Sequence, residues 1–253
     1  MRLLRRGVWA PLLAMTENFL EVEMKNALIT GASRGLGLAL ARQLAEKEWG
    51  LAIDARGKEA LEQVREELSK KTKVIAIPGD VTAESHRKKL FKAAQELGGL
   101  DVLVNNASLL GPSPQPALLH YPLDAFEQVY RANVIAPLAV IQTLHPALRL
   151  DACIINVTSD AGVEAYGGWG GYGSSKAALE HLSHILAEGN PSLRVYWVDP
   201  GDMRTQMQQE AFPDEDISDR PLPDESVPGL LVLIEGQFPS GRYRARELPE
   251  SIG

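Results

Sequence analysis

The chain has 253 residues, of which 45% are hydrophobic and 22 are glycine, enough to bury a full core and to make many tight turns. α/β domains of this size are routine, so one domain is expected. A formal net charge of −7, with no basic run beyond the N-terminus, argues against a nucleic-acid partner, and no uninterrupted apolar stretch approaches the ~18 residues of a membrane span. The single cysteine, Cys153, cannot form an intrachain disulfide, which fits a reducing cytoplasm and an inert core position.

Residues 1–23 differ from the rest. Met1-Arg2-Leu3-Leu4-Arg5-Arg6 and the apolar run after it outline a secretory signal, but Pro11 interrupts that run and no small-residue cleavage site precedes Thr16-Glu17-Asn18. This segment is expected to be a poorly ordered extension of a domain over residues 24–253. From Met24 onward, short apolar runs alternate with helical spacing. Strands are expected at Asn26–Thr30, Leu51–Ile53, Lys73–Ile77, Val102–Val104, Cys153–Val157 and Arg194–Val198. Helices are expected at Leu36–Lys47, Glu59–Lys70, His86–Leu97, Leu123–Leu148 and Tyr172–Glu188. Continuous apolar strands alternating with helices predict a doubly wound, Rossmann-type parallel sheet, whose ligands sit at the carboxyl ends of its strands.

The first strand runs into Thr30-Gly31-Ala32-Ser33-Arg34-Gly35-Leu36-Gly37. Gly31 permits a sharp exit, while Gly35 and Gly37 let a cofactor's phosphates approach the first turn of a helix, whose N–H groups and dipole favour negative charge. The spacing is G-x-x-x-G-x-G, so the commoner G-x-G-x-x-G fingerprint does not apply. After the second strand stands Asp54-Ala55-Arg56. With Ala55 at the selector position, Arg56 and Arg34 favour the 2′-phosphate of NADPH. With Asp54 as selector, the ribose hydroxyls of NAD are favoured instead. Asp80-Val81 is a candidate adenine contact, and Asn105-Asn106-Ala107 offers polar groups that fix the loop beside the cofactor.

Tyr172 and Lys176 are one helical turn apart on one face, with Ser159 thirteen residues upstream of the tyrosine. A nearby ammonium favours the phenolate and brings the phenol's pKa toward neutrality, and a serine hydroxyl at the same point can bind an oxygen where charge develops. By contrast, His181 and His184 lie three apart on the same helix without a third ligand in reach, so no metal site is expected.

Together these residues resemble the short-chain dehydrogenase/reductase family from about Met24 to Met207. T-G-A-S-R-G-L-G looks like the family's coenzyme loop, implying cofactor contacts at Gly31, Ser33, Arg34, Gly35, Leu36 and Gly37. Asp80-Val81 matches its adenine contact, and N-N-A-S is similar to its N-N-A-G, with Asn106 and Ala107 at the cofactor and Ser108 replacing a glycine. Pro200-Gly201-Asp202-Met203-Arg204-Thr205 is similar to P-G-x-x-x-T, whose threonine contacts the nicotinamide amide. The family's catalytic set falls on Asn133, Ser159, Tyr172 and Lys176, the last two also facing the cofactor. The resemblance implies hydride transfer between NADPH (or NAD) and a carbonyl or alcohol. Ser159 would hold the substrate oxygen, Tyr172 would act as general acid/base, Lys176 would lower its pKa and bind the nicotinamide ribose, and Asn133 would position a water. It also implies a small-molecule substrate and a homodimer or homotetramer built through the helices around Asn133 and Tyr172. A non-catalytic dinucleotide sensor or scaffold of the same fold is the alternative.

Three stretches depart from the family pattern or leave alternatives open. Trp169, in Gly167-Gly168-Trp169-Gly170-Gly171, is a candidate wall of the pocket or a packing residue against another subunit. The acidic, Pro-rich stretch 206–227 is expected to be short and polar, leaving an open or disordered lid. Ser240-Gly241-Arg242-Tyr243-Arg244 is expected to supply a last strand, without the family's glycine-rich aliphatic segment after it.

Overall fold

The structure, a computed structural model, describes residues 24–249, so the expected N-terminal extension lies outside the described residues. Strands apolar at nearly every position must be covered on both faces. β1 (Asn26–Ile29) and β2 (Gly50–Ala55) accordingly are buried throughout. With β3 (Val74–Pro78), β4 (Leu100–Asn105), β5 (Leu148–Val157), β6 (Arg194–Asp199) and β7 (Gly241–Arg244) they form one parallel sheet of order β3-β2-β1-β4-β5-β6-β7. Ala27 pairs with Leu51 on one side and Val102 on the other, so β1 lies between β2 and β4. The strand order reverses there, and the loops leaving β1 and β4 diverge to opposite faces, which opens a crevice beyond their carboxyl ends.

Alternate side chains of each strand point to opposite layers. Ala27, Ile29, Leu51, Ile53, Val102 and Val104 pack under α1 (Gly35–Glu46) and α2 (Lys58–Leu68). Leu28, Ala52, Leu103 and Ile154 pack under α3 (Glu84–Glu96) and a helix at Ala136–Leu144 on the other face. The doubly wound Rossmann-type fold expected from the alternation is the observed one.

The helix expected over Leu123–Leu148 is broken. α4 (Leu123–Tyr130) passes into a wide π turn at Arg131–Ile135, α5 (Ala136–Leu144) follows, and after a 3₁₀ turn at His145–Ala147 the chain is already in β5 at Leu148. Pro137 has no N–H to donate to the carbonyl of Asn133, four residues back, so regular α geometry fails there, and Pro146 lies in the turn that ends the segment. α6 (Gly170–Gly189) begins two residues before Tyr172.

The stretch expected to be an open polar lid is instead ordered. α7 (Gln206–Ala211) is capped by the Thr205 hydroxyl, Ile217 is buried, and α8 (Val227–Glu235) packs with α1 against the sheet. Gly229 allows this packing, because a Cβ there would run into the Ala245 carbonyl oxygen. Replacing Gly229 by Ala is expected to lower unfolding free energy by about 1–3 kcal/mol, read from the urea midpoint. Gly57→Ala is the contrast. Its site has φ −80° with nothing within 4 Å of a Cβ, so no clash arises and the cost is that of a poorer N-cap for α2 alone, under about 1 kcal/mol.

Candidate active site

The crevice is held open by a junction of two loops. Thr30 Oγ1, just past β1, accepts the N–H groups of Asn106 and Ala107, each at 3.0 Å. The Asn106 side-chain amide donates back to the carbonyls of Thr30 (2.9 Å) and Gly31 (3.0 Å). Gly31 has φ +67°, and a Cβ there would lie 2.9 Å from Ala107 Cα, while one at Gly37 would lie 2.6 Å from Asn106 Nδ2. Both glycines are therefore demanded by close packing. Gly35 differs. With φ +56°, its Cβ would meet only Thr205 Cγ2, at 3.6 Å, so it faces open space across from the start of α7. The N-terminus of α1 receives no side-chain cap. Its orphan N–H groups and dipole suit an anion, and the residues present thus fit a dinucleotide's phosphates.

Asp54 lies within β2 and points inward. Its carboxylate accepts the Gly31 N–H at 3.1 Å and meets His86 Nε2 at 2.6 Å, and all three groups lie beneath the loop. The strand ends at Ala55, after which Arg56 is exposed. Burial alone would raise the Asp80 carboxyl. The Thr82 backbone and hydroxyl, with Arg56 and His86 farther off, hold it below its usual range. Val81 lines a shallow hollow with Thr30 and Ala107. Arg34 is exposed and bonded to Gln206. Gly201 has φ +73° and donates its N–H to Asp199 at 2.9 Å, and the Pro200 carbonyl accepts the Ser226 hydroxyl at 2.7 Å.

On the other side of the crevice, Tyr172 and Lys176 are buried together in the first turns of α6, at 8% and 2% exposure. Lys176 Nζ lies 5.3 Å from the centroid of the tyrosine ring and donates to the Val157 carbonyl at 2.8 Å. Burial draws its pKa down to about 8, and Glu180, one turn on, opposes that. Burial also pushes the Tyr172 phenol well above its ordinary value. Ser108 counters this with a hydrogen bond, whereas Asp160 and Asp199 push the same way as burial. The sequence suggested a lysine that lowers the phenol's pKa, but here burial dominates and keeps the phenol protonated. Ser159 stands at the end of β5, and the turn after it packs on α6: a Cβ on Gly173 would lie 2.7 Å from the Ala161 carbonyl. Ser159 Oγ donates to Asp160 Oδ1 at 2.8 Å and accepts the Ala161 N–H at 3.2 Å.

Asn133 sits in the π turn with its side chain fully engaged. Oδ1 accepts from Leu109 N–H (2.8 Å) and Ser108 Oγ (3.1 Å), and Nδ2 donates to the Leu109 carbonyl (2.9 Å) and Ser175 Oγ (3.0 Å). It braces the loop after β4 against α6. Ser108 thereby bridges the Tyr172 phenol and Asn133. The glycine loop, the β4 loop and the catalytic candidates thus form one connected surface.

A family model described as "short chain dehydrogenase" matches residues 25–216. The chain belongs to the short-chain dehydrogenase family. Among its relatives is the rhamnolipids biosynthesis 3-oxoacyl-[acyl-carrier-protein] reductase of Pseudomonas aeruginosa, 41% identical over 170 residues, which cover 64% of this chain and 65% of that enzyme. Mouse sepiapterin reductase is 32% identical over 199 residues, covering 73% of this chain and 76% of the mouse protein. Among solved structures, the alcohol dehydrogenase of the archaeon Thermococcus sibiricus, complexed with 5-hydroxy-NADP, superposes with a TM-score of 0.79 at 28% identity, covering 88% of this chain and 96% of that one.

Several groups of this short-chain dehydrogenase were not singled out in the sequence as part of the site. His86 gave no sign because its partner Asp54 is 32 residues away. Glu180 accepts from Thr158 Oγ1 (2.8 Å) and Arg242 Nε (3.0 Å), while Arg242 on β7 reaches the Ser159 carbonyl and Asp199, each at 3.3 Å. An ion network therefore runs from α6 through β7 to the end of β6. His181 and His184 are exposed on α6, and His184 packs on Trp197 with ring centroids 5.7 Å apart. Cys153 is buried, its thiol pushed up to about 12 by burial.

Lys176 supplies a test of its burial that needs no turnover. Below pH 8 it is protonated in both folded and unfolded chains, so the full cost of burying the charge is present. As pH rises from 8 toward 10.5 the folded form is neutral while the unfolded form still carries the proton, and that cost fades. Lys176→Met should therefore gain stability relative to the parent at pH 7 by on the order of 2–3 kcal/mol more than at pH 10, measured by urea unfolding. An identical difference at both pH values would contradict the depressed pKa.

Proposed function

We propose that this protein is an NADPH-dependent reductase of small carbonyl compounds, working reversibly on the corresponding alcohols. The observation that carries the reading is the burial of Tyr172 and Lys176 side by side, joined through Ser108 to the loop that abuts the glycine turn. A nicotinamide cofactor, held by the glycine loop and Thr205, supplies hydride when bound in this crevice. Ser159 turns its hydroxyl proton to the substrate oxygen, where negative charge develops. Tyr172 gives that oxygen its phenolic proton. Burial keeps the phenol protonated but by itself makes it a weaker acid, so transfer depends on Lys176 and the Ser108 hydroxyl stabilising the phenolate. Lys176, over the ring, stabilises the phenolate left behind and would also bind the nicotinamide ribose. Ser108 can swing from Asn133 to the phenolate, and the Asn133 carbonyl, which Pro137 cannot engage, suits a water on the way to solvent.

NADPH is favoured over NADH because Asp54 is engaged with His86 and Gly31, whereas Arg56 and Arg34 are exposed at the ribose end. The NADP-type ligand of the Thermococcus structure supports this. A cytoplasmic homodimer or homotetramer is the proposed setting; the unpaired Cys153 fits a reducing compartment.

Tyr172→Phe should bind NADPH as the parent does while kcat/KM for carbonyl reduction, followed as NADPH oxidation, falls at least ~100-fold. Equal turnover would remove Tyr172 from the mechanism. Arg56→Ala should weaken NADPH by about tenfold or more and NADH little, in fluorescence titrations. An unchanged ratio would refute the cofactor assignment.

A further inference from the structure

The mechanism leaves one charged group beside the reacting centre unused. Asp160 follows Ser159 directly, and its carboxylate accepts three hydrogen bonds: Oδ1 takes the Ser159 hydroxyl (2.8 Å) and the Ala161 N–H (2.7 Å), and Oδ2 takes the Tyr166 phenol (3.0 Å). A carboxylate offers about four lone-pair sites, so it is close to saturated.

Ser159 has one proton to give. To hydrogen-bond a substrate oxygen it must release Asp160, which then loses a partner just as negative charge gathers on an oxygen next to it. For a plain ketone that is doubly unfavourable: a half-buried carboxylate is stripped of a donor and faces a like charge. A substrate that brings its own O–H or N–H removes both costs. Because Ser159 Oγ and Asp160 Oδ1 are only 2.8 Å apart, that donor must lie on the carbon next to the carbonyl, whose oxygen and neighbouring donor span a similar distance.

The rest of the rim is aromatic and apolar. Tyr166, pinned by Asp160, meets Trp169 edge-on at 6.4 Å, and Trp169 lies 5.7 Å from the Tyr172 ring and 5.8 Å from Phe212. Leu118, 62% exposed, abuts Gly170, the residue after Trp169. Such a wall suits a flat ring on the carbonyl.

We propose that Asp160 and the Tyr166–Trp169–Phe212 wall select aryl ketones carrying a hydroxyl or N–H donor on the carbon next to the carbonyl, the simplest being aryl α-hydroxy ketones. The inference rests on the carbonyl-reductase reading. The step balances as ketone plus NADPH plus a proton giving NADP+ and a vicinal diol, or a vicinal amino alcohol where the donor is N–H. Hydride goes to the carbonyl carbon and the Tyr172 proton to its oxygen, while the O–H held by Asp160 is not consumed.

The test uses the purified full chain with NADPH and four ketones: 2-hydroxyacetophenone, its methyl ether 2-methoxyacetophenone, acetophenone and hydroxyacetone. The ether keeps the ring and the electron withdrawal but lacks the donor. The expected kcat/KM for 2-hydroxyacetophenone exceeds that for the ether at least about tenfold, and exceeds that for hydroxyacetone by a similar factor. In Asp160→Ala the hydroxy-to-methoxy ratio falls toward one, and being a ratio within one preparation it is insensitive to how much of the variant folds. A parent ratio near one, with turnover of both, overturns this proposal and leaves the reductase reading intact. No turnover of any ketone by protein that binds NADPH overturns both.

Discussion

Everything in this molecule is hung on the junction between the loops that leave β1 and β4. Thr30, Gly31, Asn106 and Ala107 exchange four hydrogen bonds there, and no Cβ is tolerated where the two backbones meet. Sheltered backbone polar groups must find partners, so this closed set leaves the loops little freedom. One side of the junction presents the uncapped N-terminus of α1. The other leads through Ser108 to Tyr172. The proposed anion site and the proposed proton donor are thereby set relative to each other by the sheet itself.

Around that junction, charge is buried where an ordinary core would avoid it. Lys176 is almost fully enclosed and Asp54 lies under the glycine turn with His86. Isolated, each would be costly. Each is met by designated partners: the Val157 carbonyl for Lys176, and the Gly31 N–H with the His86 ring for Asp54. Glu180 and Arg242 extend the first of these sets to β7, so the last strand, remote in sequence, bears on the ends of both β5 and β6. Asp160 is the group whose partners would change under the proposed mechanism, since one of them is the Ser159 hydroxyl.

The legibility of the elements followed their physical cause. Strands buried on both faces are apolar at nearly every position, so β1, β4 and β6 could be read directly and were found within a residue or two of the expected bounds. The segment around Asn133 looked continuous because its apolar spacing is helical, although Pro137 already carried the information that it breaks. α8 was invisible for the opposite reason. It has no polar face, hence no stripe, and its Pro228-Gly229 start reads as a loop until the approach of Ala245 explains the glycine. The acidic stretch before it looked disordered because the residues that anchor it, Met207, Ala211, Phe212 and Ile217, are few and widely spaced.

By itself the sequence determined the fold class, the position of the glycine turn and the tyrosine–lysine pair, because these depend on local spacing: a turn after a strand, or two side chains one helical turn apart. It could not determine what surrounds them. Only tertiary structure decided that Asp54 turns inward to His86, that Asn133 is a brace with every side-chain bond taken, and that Ser159 donates to Asp160. It also decided that burial, more than the nearby lysine, governs the Tyr172 phenol. Each of these depends on how much water and which distant partner a group meets once the chain has closed, and neither quantity is encoded in spacing along the chain.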